Sequence, residues 1–283
     1  MTTIAFTKMH GLGNDFVVID AINQTINLNP KQIRFLADRH FGIGFDQLLL
    51  VETSHPDSSA DFKYRIFNAD GSEVSQCGNG ARCFAHFIRR QKLSLKDDIL
   101  VDTHAGQLLL SFSQNDLISV NMGIPKHDPA HIPLATSSPQ SSQYSVTIDT
   151  IEWSFSAVSI GNPHAVIVID DIKTAPVNTL GKILESHPVF PERANIGFMQ
   201  IIKPNHIKLR VYERGSGETL ACGSGACAAV ICGIERDMLE KEVRVELPGG
   251  ELKIHWQGRN TPVFMTGSAT PVSNGTISLS HGT

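Results

Sequence analysis

Two cysteines in this sequence stand directly before glycine-rich turns that are nearly identical. Cys77 opens "CGNGA" and Cys222 opens "CGSGA", and each turn leads into an apolar segment typical of a buried helix. A helix N-terminus carries unpaired backbone N–H groups and a partial positive charge, so a thiol placed there is biased toward thiolate. The glycines let a ligand approach the backbone, and the N–H groups suit a carboxylate. Each turn is therefore predicted to be an anion site with a nucleophile or base beside it.

Two such turns that face each other would do more specific chemistry. They could hold one carboxylate from both sides and place a sulfur on each face of the adjoining carbon. One thiolate would remove the α-proton and the opposite thiol would deliver a proton to the other face, which inverts the stereocentre. Because the two thiols exchange roles when the reaction reverses, the symmetric pattern favours a two-way isomerisation.

Other roles for the cysteines fit the sequence less well. Cys83, Cys227 and Cys232 lie inside predicted helices and are interpreted as packing residues. The spacing lacks the close pairs of a zinc site, so no metal is expected. "GSGACA" matches the loose dinucleotide-binding fingerprint, but no strand directly precedes it. Five cysteines favour thiols over a disulfide framework, and a disulfide between the two turns would be an oxidation artefact.

The cysteine turns belong to a longer internal repeat. With Cys77 aligned on Cys222, an offset of 145 (222 minus 77), Glu73 falls on Glu218, and both are interpreted as carboxylates that brace loops. Upstream, "GNDFVVID" resembles "GNPHAVIVID" at an offset of 148 (161 minus 13), and "GFDQLLL" resembles "GFMQII" at an offset of 153 (197 minus 44). The order of these matches predicts a duplicated fold with a ligand in the cleft between its halves.

The elements that must position these turns are mostly strands. Segments rich in β-branched residues alternate apolar and polar positions, which predicts antiparallel sheet. The helix expected around 226–232 is apolar on every side, so other elements must surround it. We therefore predict an α+β fold of two pseudo-symmetric halves, each a mostly antiparallel sheet or barrel around a central apolar helix. The predicted domains are 1–122 with 268–283, and 123–267, and 126–145 is predicted to be a connector or surface loop.

Composition narrows the class of protein. The 283 residues carry a net charge of −4, which argues against a nucleic-acid or membrane-surface partner. No apolar run approaches the roughly 18–20 residues of a membrane span, and the N-terminus does not resemble a signal peptide. A cytoplasmic globular protein is expected.

Five motifs in order resemble the diaminopimelate epimerase family: "HGLGNDF", "FNADGSEVSQCGNGARC", "GNPHAV", "PERANIGFMQ" and "ERGSGETLACGSGACA". The resemblance implies interconversion of L,L- and meso-2,6-diaminopimelate, for lysine and cell-wall precursor synthesis, without pyridoxal phosphate, metal or other cofactor. It also implies a homodimer. A proline-racemase-like isomerase of the same fold is the alternative, and a non-catalytic amino-acid-binding module is a third hypothesis.

The resemblance also implies roles for individual residues. Cys77 and Cys222 match the catalytic pair, and His164 and Glu213 match residues that tune the two thiols, His164 through charge or a hydrogen bond. The reacting carboxylate would be held by Gly78, Asn79, Gly223 and Ser224. The remaining substrate-binding set corresponds to Asn14, Gln47, Asn68, Asn162, Asn195, Glu213 and Arg214. Arg214 would bind the distal carboxylate in bidentate fashion, and the asparagines and the backbone near Glu213 would recognise the distal ammonium.

Taken alone, some of these residues also fit ordinary roles. His164 suits a buried turn, and Asn14, Asn162 and Asn195 are common turn formers. The sequence departs from the family pattern at Ser268 and Ser273, where a proline and an aromatic are usual. Because that aromatic often lies at the dimer interface, the departure concerns the strength of the dimer. Ser75, where an acid is common, is expected to have little effect.

Overall fold

The computed structural model describes residues 2–75 and 77–279, so residues 1, 76 and 280–283 of the predicted first domain lie outside the described part. The chain forms two compact units, Met1–Val120 with Gly267–Thr283, and Asn121–Thr266. No helix in the described ranges is long and apolar enough to cross a membrane.

The first unit contains β1 (Thr2–Gly11), β2 (Asn14–Asp20), α1 (Pro30–Ala37), β3 (Gln47–Thr53), β4 (Phe62–Asn68), β5 (Glu73–Val74), α2 (Gly78–Arg90), β6 (Asp98–Thr103), β7 (Gly106–Phe112) and β8 (Ile118–Asn121). The second unit contains β9 (Tyr144–Ile148), β10 (Ile151–Ser159), β11 (Pro163–Val168), α3 (Lys182–Glu185), β12 (Asn195–Lys203), β13 (His206–Glu213), β14 (Gly217–Thr219), α4 (Gly223–Glu235), β15 (Glu242–Leu247), β16 (Gly250–Trp256) and β17 (Val263–Gly267). The last strand, β18 (Thr270–Leu279), returns to the first unit, and a π-helical turn (Val177–Gly181) leads into α3.

Strand pairing repeats step for step in the two units. In the first, β18, β1, β2, β3 and β4 are neighbours, β4 also pairs β5 and β6, and only β2–β3 and β4–β6 are parallel. In the second, β9 to β13 are neighbours, β13 also pairs β14 and β15, and only β11–β12 and β13–β15 are parallel. The predicted duplicated, mostly antiparallel α+β fold is confirmed.

The register corrects one of the three repeat matches. Phe16 lies opposite Gln47 across the parallel pair β2–β3, and His164 lies opposite Asn195 across β11–β12. Both steps correspond to an offset of 148 (164 minus 16, and 195 minus 47), so the counterpart of Gln47 is Asn195. The match of "GFDQLLL" with "GFMQII", which aligned Gln47 with Gln200, is wrong by five residues.

The two central helices are surrounded as predicted. Every residue of α4 from 225 to 233 is buried, and the helix packs against β10, β11, β12, β13 and β16. Helix α2 is buried from 79 to 85 and packs against β1, β2, β3 and β7. Burial on all sides is the environment in which an all-round apolar helix is stable.

Two local predictions need correction. The sequence "NPKQIRFLADRHFG" predicts a helix that starts at Asn29 before Pro30 and stops at Gly42. Helix α1 begins there, where Asn29 and Gln32 form a capping box, but it ends at Ala37. It stops there because the Asp38 carboxylate accepts the next backbone N–H groups at 2.7 and 2.9 Å. The stretch 126–145 is largely irregular, as expected of a loop, but it is not a free connector, since Ile132 is buried in the core of the second unit.

Candidate active site

The two cysteines of the glycine turns occupy the same place in their units. Cys77 is the residue before α2 and Cys222 the residue before α4, each with extended backbone (φ −144°, ψ 119° and φ −115°, ψ 106°). The residues predicted to hold the reacting carboxylate open these helices, and they are Gly78 and Asn79 in α2 and Gly223 and Ser224 in α4. In each unit a sulfur therefore lies beside the first turn of a buried helix, where backbone N–H groups favour an anion.

Cys77 is half-buried among polar side chains of the first unit. Its thiol donates to Oδ1 of Asn14 at 3.8 Å, and Nδ2 of Asn79 donates to the same oxygen at 3.4 Å. The Tyr64 hydroxyl donates to the Cys77 carbonyl at 3.3 Å. A Cβ on Gly80 would lie 2.5 Å from that hydroxyl, so the absence of a side chain there lets the turn sit against β4.

Cys222 is almost fully buried, and burial raises the pKa of its thiol well above the ordinary value. The charge of Glu213 adds to this, whereas hydrogen bonds from the Gly225 N–H and the Ser224 hydroxyl, whose Oγ lies 3.7 Å from Sγ, lower the pKa. The helix N-terminus favours the Cys222 thiolate through the Gly225 N–H, as expected, but this effect does not decide the protonation of the sulfur. Loss of hydration outweighs the helix end.

His164 is buried and neutral. Burial, followed by the charge of Arg214, lowers the pKa of its imidazole to about 3. Its Nε2 lies 3.0 Å from Oδ1 of Asn162 and donates to it, because an amide oxygen can only accept. Nδ2 of Asn162 in turn donates to Oγ of Ser224 at 3.5 Å. The predicted tuning of a thiol by His164, through charge or a hydrogen bond, stays a prediction. In the second unit the neutral imidazole reaches Cys222 by hydrogen bonds through two intervening side chains.

The side chain of Asn195 braces the strands around it. It is buried, its Nδ2 donates to the Pro163 carbonyl at 3.1 Å, and its Oδ1 accepts from the Arg214 N–H at 3.0 Å. Arg214 itself is exposed, and its guanidinium donates to the Glu192 carbonyl at 3.1 Å. Asn195 thus fixes the backbone from which Arg214 projects.

Gln47 and Asn68 are cross-strand neighbours on β3 and β4. Nε2 of Gln47 donates to Oδ1 of Asn68 at 3.0 Å, and Nδ2 of Asn68 donates to Oγ of Ser72 at 3.2 Å. The Ser72 hydroxyl donates to the Asp70 carboxylate at 2.6 Å. These amides form a chain of hydrogen bonds that ends on an anion.

The interpretation of Glu73 and Glu218 as bracing carboxylates is confirmed. Arg65 donates to Glu73 at 2.8 and 2.9 Å, and Arg210 donates to Glu218 at 2.6 and 3.0 Å, which ties β4 to β5 and β13 to β14. No role was predicted from the sequence for Arg65 or Arg210. They too are 145 positions apart (210 minus 65), so the repeat could have revealed them.

The remaining cysteines are packing residues, as predicted. Burial raises the pKa of the Cys83 and Cys232 thiols to about 12, and Cys227 is fully buried. All five cysteines are thiols and not disulfides. Among the residues that the structure describes, no group of three or more His, Cys, Asp or Glu is arranged to hold a metal ion.

The sequence matches known proteins along most of its length. The model of the family described as diaminopimelate epimerase matches residues 6–127 and 156–272. A diaminopimelate epimerase from Nitrosomonas europaea is 57% identical over 276 residues, which cover 98% of this chain and 99% of the relative.

Solved structures with the same fold are much more distant in sequence. A hydroxyproline epimerase from Agrobacterium vitis has a TM-score of 0.70 at 13% identity, over 97% of this chain and 92% of its own. A phenazine biosynthesis protein of the PhzF family from Bacillus anthracis has a TM-score of 0.69 at 17% identity, over 99% of this chain and 100% of its own. At these identities the likeness concerns the fold alone.

Proposed function

Because this chain belongs to the diaminopimelate epimerase family, we propose that Cys77 and Cys222 are the acid–base pair with which it interconverts L,L- and meso-2,6-diaminopimelate. The chain is an isomerase of this family, which implies a place in lysine biosynthesis. The observation that best supports the proposal is that the two sulfurs hold the same position, one residue before the buried helix, in two units of the same topology.

In this mechanism the sulfurs would lie on opposite faces of the α-carbon. The thiolate of one cysteine removes the α-proton, and the thiol of the other adds a proton to the opposite face, so the configuration inverts and one cysteine ends protonated while the other ends as thiolate. The reaction then runs backward with the roles exchanged. The burial that keeps Cys222 protonated in the free protein suits the proton-donating role in the first step.

The first turns of the two helices would stabilise the carbanion-like state. The N–H groups of Gly78 and Asn79, with those of Gly223 and Ser224, would bind the reacting carboxylate, onto which the negative charge spreads when the α-proton leaves. This is electrostatic stabilisation by donors that are already in place. It requires no cofactor.

The rest of the substrate would be recognised by the polar residues around the thiols. Arg214, whose guanidinium is exposed, would bind the distal carboxylate, and its requirement for a second carboxylate would separate diaminopimelate from proline. The distal ammonium would be read by the backbone near Glu213 and by amide side chains, which are those of Asn14, Gln47, Asn68, Asn162 and Asn195. His164 and Glu213 would tune the thiols. His164 would do so as a neutral donor to Asn162.

Further parts of the proposal rest on the family resemblance and the composition. We propose a cytoplasmic homodimer whose chain comprises the domains 1–122 with 268–283 and 123–267. The proposed binding partner is the small-molecule substrate, and no nucleic-acid or membrane partner is proposed.

The proposal is tested by proton exchange. Under reducing conditions in deuterated water, L,L-diaminopimelate should gain α-deuterium as the meso form accumulates, followed by NMR. Cys77→Ser and Cys222→Ser should each lower the rate by about 10²–10⁴-fold, the usual contribution of general acid–base catalysis.

Cys232→Ala is the matched control, since it removes a buried thiol from the helix that follows Cys222 and should leave exchange unchanged. Folded protein without exchange, or variants of Cys77 and Cys222 as active as this control, would contradict the proposal. Faster exchange of proline than of diaminopimelate would favour the proline-racemase-like alternative.

A further inference from the structure

We propose that Asp46 is a positioning residue, which fixes the orientation of the Asn14 amide and thereby the hydrogen bond that this amide offers to Cys77. The inference rests on the proposed role of Cys77. The supporting observation is a chain of hydrogen bonds within the first unit. Each residue in it donates to the next, from Arg82 through Asn79 and Asn14 to Asp46.

One end of the chain is a buried guanidinium. Arg82 is 0% exposed, and its Nη2 donates to Oδ1 of Asn79 at 3.0 Å. Because a guanidinium can only donate, the Asn79 oxygen must face Arg82, which leaves Nδ2 to face Asn14. Arg82 is held in place by the Ser268 carbonyl at 3.1 Å and the Gly78 carbonyl at 3.5 Å, so this amide cannot turn round without losing a bond to a buried charge.

The other end of the chain is a carboxylate. Oδ2 of Asp46 accepts from Nδ2 of Asn14 at 3.0 Å and from the Asp15 N–H at 3.1 Å. Its second oxygen accepts from Nη2 of Arg39 at 3.0 Å. Because a carboxylate can only accept, the nitrogen of the Asn14 amide must face Asp46 and its oxygen must face the other way.

The oxygen of Asn14 consequently faces the sulfur. It accepts from Asn79 Nδ2 at 3.4 Å and from the Cys77 thiol at 3.8 Å. An amide oxygen stabilises the thiol and offers nothing to the thiolate, so a Cys77 thiolate beside it remains a strong base for the α-proton. If the amide turned round, its N–H would donate to the thiolate and weaken it as a base. Asp46 prevents this.

Replacement of Asp46 by Asn should release the amide. With Arg39 bound to the remaining oxygen, the new NH₂ group faces the Asn14 nitrogen, a donor against a donor, which favours the reversed amide with its oxygen toward residue 46 and its N–H toward Cys77. The reversal costs the bond from Asn79 Nδ2, but that contact is longer, at 3.4 Å against 3.0 Å at residue 46. Tyr64 on β4 and Cys83 on α2 also interact electrostatically with Cys77, and both are present in every variant compared.

The experiment measures the sulfur and not the epimerisation, so that its failure can be told from failure of the proposed function. In a Cys222→Ser background, the rate of alkylation of Cys77 by iodoacetamide is followed against pH, and the adduct is located by peptide mass spectrometry. Asp46→Asn should lower the midpoint of the pH profile by about half a unit or more, because a donated hydrogen bond favours the thiolate. Asp46→Glu, which keeps an acceptor, should stay close to the parent.

Two controls separate orientation from charge. Asp70→Asn removes the same charge from the chain of Gln47, Asn68 and Ser72, and the midpoint for Cys77 should not move. In an Asn14→Ala background, Asp46→Asn should cause no further shift, because the amide that transmits the effect is gone. An unchanged midpoint in Asp46→Asn, or an equal shift with and without Asn14, would overturn the proposal.

Discussion

At the scale of single residues, the two thiols of the glycine turns share a position but not an environment. Cys77 is half-buried and faces an amide oxygen, whereas Cys222 is 3% exposed and lies near the Glu213 carboxylate. The sequence predicted both positions, but the helix end alone does not give the protonation of Cys222, and the reason is one of magnitude. A helix end stabilises a charge by at most about 2 kcal/mol, or roughly 1.5 pKa units, whereas full burial shifts a pKa by up to about 3–5 units. Burial depends on tertiary packing, which the motif does not contain.

Tertiary contacts that a motif does not contain also decide the roles of residues that act on the site through other side chains. Asp46 and Arg82 lie within the motifs "GFDQLLL" and "CGNGARC", but the motifs assign them no role, because their importance depends on which amide atoms face them. The asparagines proposed to bind substrate were assigned through the family resemblance, but the direction of their hydrogen bonds could not be. A sequence names an amide without saying which end of it faces the sulfur.

His164 gives a prediction about stability. Its imidazole pKa is about 3 in the folded protein against an ordinary value of 6.5. Between these two pH values the unfolded chain therefore binds a proton at His164 that the folded protein does not bind. The free energy of unfolding should therefore fall as the pH drops below 6.5, by up to about 1.4 kcal/mol per pH unit for this one group. Urea unfolding at pH 7.0 and pH 5.0 measures this fall.

A His164→Gln variant separates this effect from other acid-sensitive groups. It should show a fall smaller by about 2 kcal/mol over the same pH range. The difference from the parent at pH 8, where the imidazole is neutral in both states, gives the cost of the substitution itself. Equal falls in parent and variant would show that the buried imidazole is not the source.

At the scale of elements, the spacing of apolar residues and the residue types predicted most strands and all the main helices. The register of the repeat did not, because "GFDQ" and "GFMQ" are similar by coincidence, and the offset of 148 became visible only in the pairing of β2–β3 and β11–β12. The early end of α1 was also missed, since it depends on one carboxylate that accepts two backbone N–H groups.

Packing of the first turn of α2 against β4 gives a prediction at this scale. Gly80→Ala should lower the free energy of unfolding by about 1–2 kcal/mol, because the new Cβ would lie 2.5 Å from the Tyr64 hydroxyl and overpacking outweighs the better helix propensity of alanine. Chemical denaturation measures the change.

Tyr64→Phe is the matched background for this test. It removes the hydroxyl that the new methyl group meets, so Gly80→Ala should cost clearly less there than in the parent. A cost that is the same in both backgrounds would mean that the clash lies elsewhere, for example at Phe16, whose ring is 3.2 Å from the same position.

At the scale of the whole molecule, the chain forms one continuous and one interrupted unit. Asn121–Thr266 is a single stretch, whereas the first unit needs β18 from the end of the chain as the partner of β1. The fold class and the duplication were predictable, because similar motifs recur in the two halves of the sequence. The predicted boundaries between independently folding domains stay a prediction.

This asymmetry can be tested with fragments. A fragment of residues 121–266 should fold alone and unfold cooperatively on heating, followed by far-UV circular dichroism. Each of its strands has at least one neighbouring strand within the fragment, and its central helix packs against five of them. Residues 1–120 alone should lack a cooperative transition, and fusion of 267–283 through a flexible linker should restore it. A cooperative transition in 1–120 alone would show that β18 is dispensable.

The pairing of β1 with β18 also has a consequence during translation. The residues from Thr2 to His10 lie opposite the stretch from Thr270 to Leu279, which leaves the ribosome only after the whole second unit. At roughly 5–20 residues per second, the outer edge of β1 stays open for about 13–54 s until its neighbour has been made. An open strand edge can pair with other nascent chains, so synthesis of this protein contains an interval in which a chaperone that shields that edge would raise the yield.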